Sequence, residues 1–507
     1  MDVARRKAAE EQPATSQQRL SAVIKRIRDL MRTDPGLNGD LDRLPQLSWL
    51  LFLKAFDDLE QQRGALEVDY QPLLRKEHRW SEWAANARFT GDTLIKFVND
   101  DLLPTLANLG NRRSSSPLAR KVGDVFDGVE NRMRSGYQLR EVLNELGKVR
   151  FTSRDDIHTM AHLYESMLRE VRDAAGDSGE FYTPRPVIRF MVQMVDPKPG
   201  EMVLDPAAGT GGFLVEAWEH LGGPRAKSVQ QRRHLQESLR GFEKKPLPYL
   251  LAMMNLILHG IDVPEVQEGN ALTVLRENLT SADQVDVVVT NPPFGGAESE
   301  DVVKTFPSQY RTAETAWLFL NTVLDKLKVG GRCGIVLPNG VLFAEGVGAR
   351  IKERLLRECN LHTVVRLPDG VFAPYTSIPT NLLFFEKKTS SAGREWSTNE
   401  TWFYEVVPVD GRKRYTKTKP MREEDFASCT EWWGGADRAG RSEDARAWKV
   451  PVKLVTDNGF NLDLRNPNGT DDLAHRPPRE LVEELIRTEH EILKILADLE
   501  LSLRDEE

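Results

Sequence analysis

Residues 287–295 read Val-Val-Val-Thr-Asn-Pro-Pro-Phe-Gly, and no other stretch limits the possible folds of this chain so tightly. Four consecutive apolar or β-branched residues predict a strand buried on both faces. The two prolines then end the ladder, because each removes a backbone donor and fixes φ. The corner they form holds its side chains still and leaves the carbonyls of Asn291 and Pro292 without ladder partners, free to accept hydrogen bonds from another molecule. An amide, a free carbonyl and the aromatic face of Phe294 together suit a flat ligand that carries an amino group. Read without its surroundings, the same tetrapeptide is a proline-capped strand end.

A strand of that kind needs a sheet covered on both sides, and the surrounding sequence supplies the pattern. Strands are predicted at 202–204, 239–242, 285–290, 332–337, 362–367 and 381–385. Helices are predicted between them at 213–221, 247–259, 315–327 and 349–359. This alternation points to the α/β class, a doubly wound domain with a mostly parallel sheet. Ahead of it, Leu20, Val23, Ile24, Ile27, Leu30 and Met31 recur at helical spacing. Pro45 is expected to open a helix that is apolar nearly all round, the central member of a bundle. Residues 16 to about 149 therefore read as a helical domain of their own. Past Lys387 the chain reads as irregular to about Asp471, with Trp432 and Trp433 packing a loop onto the core. After Pro477-Pro478, Leu481, Leu485, Thr488, Ile492, Ile495 and Leu499 alternate at steps of four and three. That seam suits a partner helix, or a helix folded back on its own domain.

A second motif follows the first strand of the α/β part: Asp205-Pro-Ala-Ala-Gly-Thr-Gly-Gly-Phe213. A glycine-rich strand-to-helix turn lets a ligand approach the backbone closely. Ala207 stands where a dinucleotide fingerprint would have its first glycine, so the loop departs from that pattern. Glu243 ends the next strand, where a carboxylate can accept ribose hydroxyls. Asn270 follows the next helix within Glu268-Gly-Asn-Ala-Leu272, and upstream lies Gly179-Glu-Phe-Tyr-Thr-Pro184, in which Thr183 can cap the helix that Pro184 and Pro186 introduce. Taken singly, these residues read as a tight turn, a strand-end charge, a loop amide and a helix cap.

Taken in order, they resemble the motifs of DNA adenine methyltransferases, and the tetrapeptide is similar to that family's catalytic motif. The resemblance implies a Rossmann-like domain that uses S-adenosyl-L-methionine. It implies that Asn291 and the Pro292 carbonyl accept from the amine of an adenine swung out of the duplex, that Pro293 completes the corner, and that Phe294 stacks on the ring. The cofactor would be held by Gly179, Glu180, Phe181, Tyr182, Thr183 and Pro184 at its methionine end and by Asp205, Ala207, Ala208, Gly209, Thr210, Gly211, Gly212 and Phe213 in the loop. Glu243 would take the ribose and Asn270 the cofactor adenine. An aromatic amine is a poor nucleophile, and two acceptors that draw it toward tetrahedral geometry need no strong base.

The order of the motifs, methionine end before cofactor loop before tetrapeptide, resembles the modification subunits of type I restriction systems. That likeness divides the chain into an N-terminal helical domain (1–150), a methyltransferase domain (151–470) and a C-terminal helical tail for subunit assembly (471–507). It implies duplex DNA as substrate and a specificity subunit as partner, with two copies of this chain on each. The sequence has no Gly-x-x-x-x-Gly-Lys-Ser/Thr loop, so ATP-driven restriction would belong to a separate restriction subunit. The rivals are a self-sufficient DNA methyltransferase, a protein-glutamine methyltransferase and a non-catalytic scaffold. A net charge of −8 excludes bulk electrostatic coating of nucleic acid, so DNA contact must come from local patches or a partner. One patch stands out, the basic run Gly411-Arg-Lys-Arg-Tyr-Thr-Lys-Thr-Lys-Pro-Met-Arg422; it can contact phosphates or be a solvated hairpin. Three scattered cysteines and no Cys-x-x-Cys predict neither disulfides nor a metal site, and a cytoplasmic protein with no membrane segment is expected.

Overall fold

Among the described residues nine strands form one sheet, and its two faces can be read from the alternation of their side chains. The structure, a computed structural model, describes residues 16–468 except 67–68, 112–114, 152–182, 274–279, 281–282, 374–375, 377, 390–394 and 417, together with residue 489. The strands are β1 (Val203–Asp205), β2 (Leu239–Glu243), β3 (Glu265–Glu268), β4 (Val285–Thr290), β5 (Leu327–Pro338), β6 (Cys359–Arg366), β7 (Thr380–Lys387), β8 (Glu400–Glu405) and β9 (Ala447–Pro451). They lie in the order β3-β2-β1-β4-β5-β7-β6-β8-β9. The first five are parallel, β7 runs against both β5 and β6, β8 is parallel to β6, and β9 closes the edge antiparallel to β8. Val203, Val287, Val289, Val336, Leu382 and Phe384 point into one apolar core. Their neighbours Leu204, Val288, Ile335, Leu383 and Phe385 point into the other. Both faces are covered, which is why β4 and β7 are near-continuous apolar runs.

Helices of nine residues or more are numbered in chain order: α1 (Ser16–Met31), α2 (Asp40–Leu66), α3 (Pro117–Phe126), α4 (Gly136–Leu146), α5 (Arg185–Val195), α6 (Gly212–His220), α7 (Val229–Glu237), α8 (Pro246–Leu258), α9 (Thr315–Lys326) and α10 (Val347–Glu358). The first core lies under α5, α6 and α8, and the second under α9 and α10. No helix among the described residues is long and apolar enough to cross a membrane.

Several sequence expectations are corrected. The helix around Pro45 begins upstream at Asp40, because the Gly39 carbonyl already accepts from the N–H groups of Asp42 and Arg43; Pro45 lies inside it. The stretch after Lys387 is not irregular, since β8 and β9 add two strands to the sheet. Their partners are distant in sequence: Thr363 pairs with Trp402, and Phe403 with Trp448. β3 was also missed, for it is an edge strand with only Val266 buried and shows no apolar period. The tryptophan pair packs onto the core as expected, but Trp432 ends a short helix, Ala427–Trp432, and does not lie in a loop. Trp433 meets Phe384 at 4.9 Å between centroids, and the Arg441 guanidinium sits 4.5 Å and 4.6 Å from the rings of Trp432 and Trp433. The helical seam at 481–499 lies outside the described residues.

The helical region and the α/β region share one core. In α2, Trp49, Leu50, Leu51, Phe52 and Leu53 are all essentially inaccessible. Phe52 stacks on Phe56 at 5.5 Å and meets Phe126 of α3 at 5.8 Å. Both α2 and α3 pack on α8, itself apolar nearly all round, and the seam is fastened by the Arg63–Asp262 ion pair at 2.9 Å. Phe52→Ala should therefore cost about 3–5 kcal/mol, the usual penalty for an aromatic cavity. Urea denaturation of the full chain measures it; a loss below about 1 kcal/mol would show that this core relaxes around the deletion.

Candidate active site

The strand order reverses between β1 and β4, and the carboxyl ends of these two strands form the crevice where open α/β sheets bind ligands. Register places Val203 beside Val287 and Leu204 beside Val288, so Asp205 and Thr290 end neighbouring strands. The Thr290 hydroxyl donates to Asp205 Oδ1 at 2.8 Å, and the Ala207 N–H donates to the same oxygen at 3.1 Å. Asp205 is fully buried, and its Oδ2 has no partner.

The loop after β1 is folded against β2. Ala208 N–H donates to the Phe242 carbonyl at 2.8 Å, and Gly209 N–H to Glu243 Oε2 at 2.9 Å. Asn255, buried in α8, donates to the Thr210 carbonyl at 2.9 Å. Gly209 (φ 54°) and Gly211 (φ 78°) occupy the left-handed region, where a side chain is strained. A Cβ on Gly212 would stand 2.8 Å from Ile188 of α5, so this glycine serves helix packing as well.

Glu243 ends β2 and clamps three turns. Its Oε1 accepts from Lys245 N–H and its carbonyl from Gly269 N–H, both at 2.9 Å. Gly269 sets Asn270 beside the site. Asn270 Oδ1 accepts from Leu272 N–H, and its Nδ2 donates to Glu298 at 3.0 Å. Glu298, which also takes the Lys244 ammonium at 3.0 Å, was not foreseen. It lies in a Gly-Gly-Ala-Glu-Ser-Glu loop whose charges look like ordinary solvation.

At the end of β4, Asn291 Nδ2 donates to the Thr183 hydroxyl at 2.9 Å, while Asn291 Oδ1 is buried without a partner. Thr183 is thus not the cap of α5; the Pro184 carbonyl takes that place, accepting from Val187 and Ile188 N–H. Pro292 is buried, and Pro293 and Phe294 are half-buried. The Phe294 ring meets the buried Phe372 edge-on at 5.7 Å and 74°. Phe372, on the loop after β6, was also missed; one aromatic in a loop carries no positional signal. Hydrogen bonds thus join Thr183, Asp205, the 207–213 loop, Glu243, Asn270 and Asn291 on one edge of the sheet. Gly179, Glu180, Phe181 and Tyr182 lie outside the described residues.

A groove of about 630 Å³ lies elsewhere, between the helical region and α7. Its arginines are spent internally: Arg63 on Asp262, Arg120 on the Ser115 carbonyl, Arg232 on the Gly260 carbonyl and Arg233 on Glu237.

Comparison with known proteins gives the family of the chain. The N-6 DNA Methylase family matches residues 155–476, and the HsdM N-terminal domain matches residues 20–146. The chain is 47% identical to the type I restriction enzyme EcoEI methylase subunit of Escherichia coli, over 90% of this chain and 92% of that one. It is 30% identical to the EcoKI methylase subunit of Escherichia coli K12, over 73% and 68%. A solved modification subunit assigned to a type I restriction enzyme of Vibrio vulnificus YJ016 superposes with a TM-score of 0.81 at 46% identity, covering 92% of this chain and all of that one.

The two buried carboxyl groups give the site a pH signature. Burial pushes Asp205 up to about 7, against the hydrogen bonds from Thr290 and Ala207, with Glu243 adding to the rise. Burial likewise pushes Glu243 up to about 7, against its backbone donors. Because folded values lie above unfolded ones, the folded chain holds more protons between about pH 4 and 7. The contribution to stability is fully present below the unfolded values and is lost as pH rises through about 7. Ligand-free protein should therefore melt lower at pH 8 than at pH 6, and Asp205→Asn should flatten that slope. Thermal melts across this range test it; an unchanged slope in the variant would remove Asp205 as a source.

Proposed function

We propose a working site from one established premise: the chain belongs to the N-6 DNA methylase family, among the modification subunits of type I restriction enzymes. It is an adenine-specific DNA methyltransferase. The observation that carries the mechanism is the buried, unpartnered Asn291 Oδ1 beside the half-exposed Phe294.

The residues at the strand ends suit S-adenosyl-L-methionine: a glycine loop that admits close approach, an unpartnered Asp205 oxygen, and a strand-end carboxylate at Glu243. Residues 179–184 and 205–213 would hold it, with Glu243 at the ribose and Asn270 at its adenine. Asn270 Oδ1 keeps a lone pair for that contact, and each Glu243 oxygen can accept a further hydrogen bond. When bound, the cofactor supplies a methyl group on a sulfonium centre.

The chain's own residues do the rest. Phe294 stacks on the flipped adenine, and the rigid Phe372 behind it holds the ring in place. Asn291 Oδ1 and the Pro292 carbonyl accept from the 6-amino group, turning its lone pair out of conjugation. Thr183 fixes the Asn291 amide through Nδ2, so that the oxygen and not the nitrogen faces the base. Closing this corner costs no reorganisation during reaction, which is where such acceptors gain their effect.

Methyl transfer from labelled cofactor to duplex DNA, mapped to adenine N6, tests the reading. Asn291→Ala should abolish transfer while leaving cofactor affinity nearly intact. Thr183→Val should lower kcat about tenfold, the scale of one hydrogen bond, and Thr183→Ser should restore it. Normal transfer by Asn291→Ala would falsify the mechanism; label on a glutamine peptide, or on nothing, would favour the rival readings.

A type I methylase subunit works within a complex, and a cytoplasmic setting suits that role. The proposed partner is a specificity subunit carrying two copies of this chain, joined through the helix at 481–499. The described core closes before it: Leu462 is buried, Asp463 pairs with Arg366 at 2.9 Å, and Asn468 Nδ2 donates to the Asp444 carbonyl at 3.1 Å. Truncation after Asn468 should leave a folded, cofactor-binding chain that no longer co-purifies with the specificity subunit. A truncated chain that still assembled would exclude the helix as the joint.

A further inference from the structure

The basic run at 411–422 is built onto the same edge of the sheet as the site. β6 is parallel to β5, since each runs against β7, and β8 is parallel to β6. The carboxyl ends of β4, β6 and β8 therefore face the same way. Residues 367–373 leave β6 there, and residues 406–422 leave β8 beside them, where Val406 N–H donates to the Arg366 carbonyl at 3.0 Å.

The two segments are fastened together. Tyr415 is buried, and its N–H donates to the Asp369 carbonyl at 2.8 Å. Its own carbonyl lies 2.2 Å from where a Cβ on Gly370 (φ 74°) would stand, an approach only glycine allows. Three residues on from Asp369, Phe372 carries the edge-on contact with Phe294. The run itself closes as a tight hairpin, Thr416 and Lys419 exchanging both backbone hydrogen bonds at 3.2 Å and 3.1 Å. Arg412 braces it from within. Its guanidinium takes the Asp410 carboxylate and the Lys419 carbonyl and lies over the Tyr415 ring at 5.5 Å.

That brace consumes one cation and leaves others outward. Lys413, Arg414 and Lys419 are exposed, and among the described residues none of their side chains meets a carboxylate. A solvated hairpin needs neither a buried tyrosine anchor nor a glycine-tight dock against the loop that seats Phe294. An arm that positions its ligand gains from both, because cations on a held backbone keep a fixed place relative to Phe294. Four strand spacings of about 4.8 Å separate the ends of β4 and β8, about 19 Å in all. That is roughly five to six base pairs of duplex rise, and the dock onto residues 369–370 draws the hairpin closer to the tetrapeptide.

We propose that the 411–422 hairpin is a phosphate-binding arm, its Lys413, Arg414 and Lys419 gripping the duplex backbone flanking the adenine held at Phe294. This rests on the reading of the chain as a DNA methyltransferase. The arm contacts backbone and not base edges, so it adds affinity and register without sequence preference. In a chain whose net charge is −8, it supplies locally what the whole molecule lacks.

The test is duplex binding by the full chain, in complex with its specificity subunit, followed by fluorescence anisotropy of a labelled duplex across a KCl series. Each phosphate contact contributes about 0.9 to the slope of log affinity against log salt. Lys413→Gln/Arg414→Gln/Lys419→Gln should therefore lower the slope by about 2 to 3 for each copy of the chain, about 5 for a complex with two copies, and weaken binding alike on cognate and unrelated duplexes. Cofactor affinity should stay unchanged. Lys227→Gln/Lys453→Gln, exposed cations far from the site, should leave the slope alone. An unchanged slope in the triple variant overturns the arm while the methyltransferase reading stands. Loss of co-purification with DNA affinity retained would make the hairpin a protein-docking surface and overturn it as well. A wild-type complex that neither bound nor methylated duplex would sink both.

Discussion

The hydrogen bond from Thr290 to Asp205 holds together the two strands between which everything else is arranged. It joins the carboxyl ends of β1 and β4 at 2.8 Å, between two fully buried side chains. One strand end opens the glycine loop and the other opens the Asn-Pro-Pro-Phe corner. Their relative position therefore sets the relation between the proposed cofactor loop and the proposed base pocket. A buried pair of this kind also restrains register, since a slip of one residue would turn Val287, Val288 and Val289 to the wrong faces of the sheet.

Around that link, the site is held by hydrogen bonds between loop backbone and buried side chains. Glu243 receives Gly209 and Lys245, Asp205 receives Ala207, and Asn255 donates to Thr210. Such bonds fix the loops without occupying every acceptor, which leaves Asp205 Oδ2 and Asn291 Oδ1 buried and unsatisfied. Buried acceptors without donors are costly. Asp205 Oδ2 and Asn291 Oδ1 stand at neighbouring strand ends, whereas in the groove beside α7 every guanidinium already has a partner.

The helical region is part of this arrangement through α8. That helix sends Asn255 to the glycine loop and its apolar sides to α2 and α3, so one rigid element touches both the site and the bundle. On the far side, Phe294, Phe372 and the 369–370 turn pass the position of the tetrapeptide to the basic hairpin. Both connections run through packed side chains and short backbone contacts, with little freedom to deform.

The sequence by itself determined the parts that local chemistry dictates. The strand that ends at Thr290 carries an unbroken run of apolar or β-branched residues from Val287, glycines mark the turn at 209–212, and the two prolines end β4; each can be recognised without knowing its neighbours. The order of these motifs was enough to indicate the family. What lay beyond reach was set by partners far along the chain. β8 and β9 are strands because β6 offers an edge, and Thr183 turns from helix cap to partner of Asn291 because folding brings residues 183 and 291 together. Phe372 and Glu298 carry no local signal at all. Only the tertiary structure decided these, because hydrogen-bond pairing and ring contacts depend on distance in space, whereas periodicity and turn chemistry are properties of neighbours in sequence.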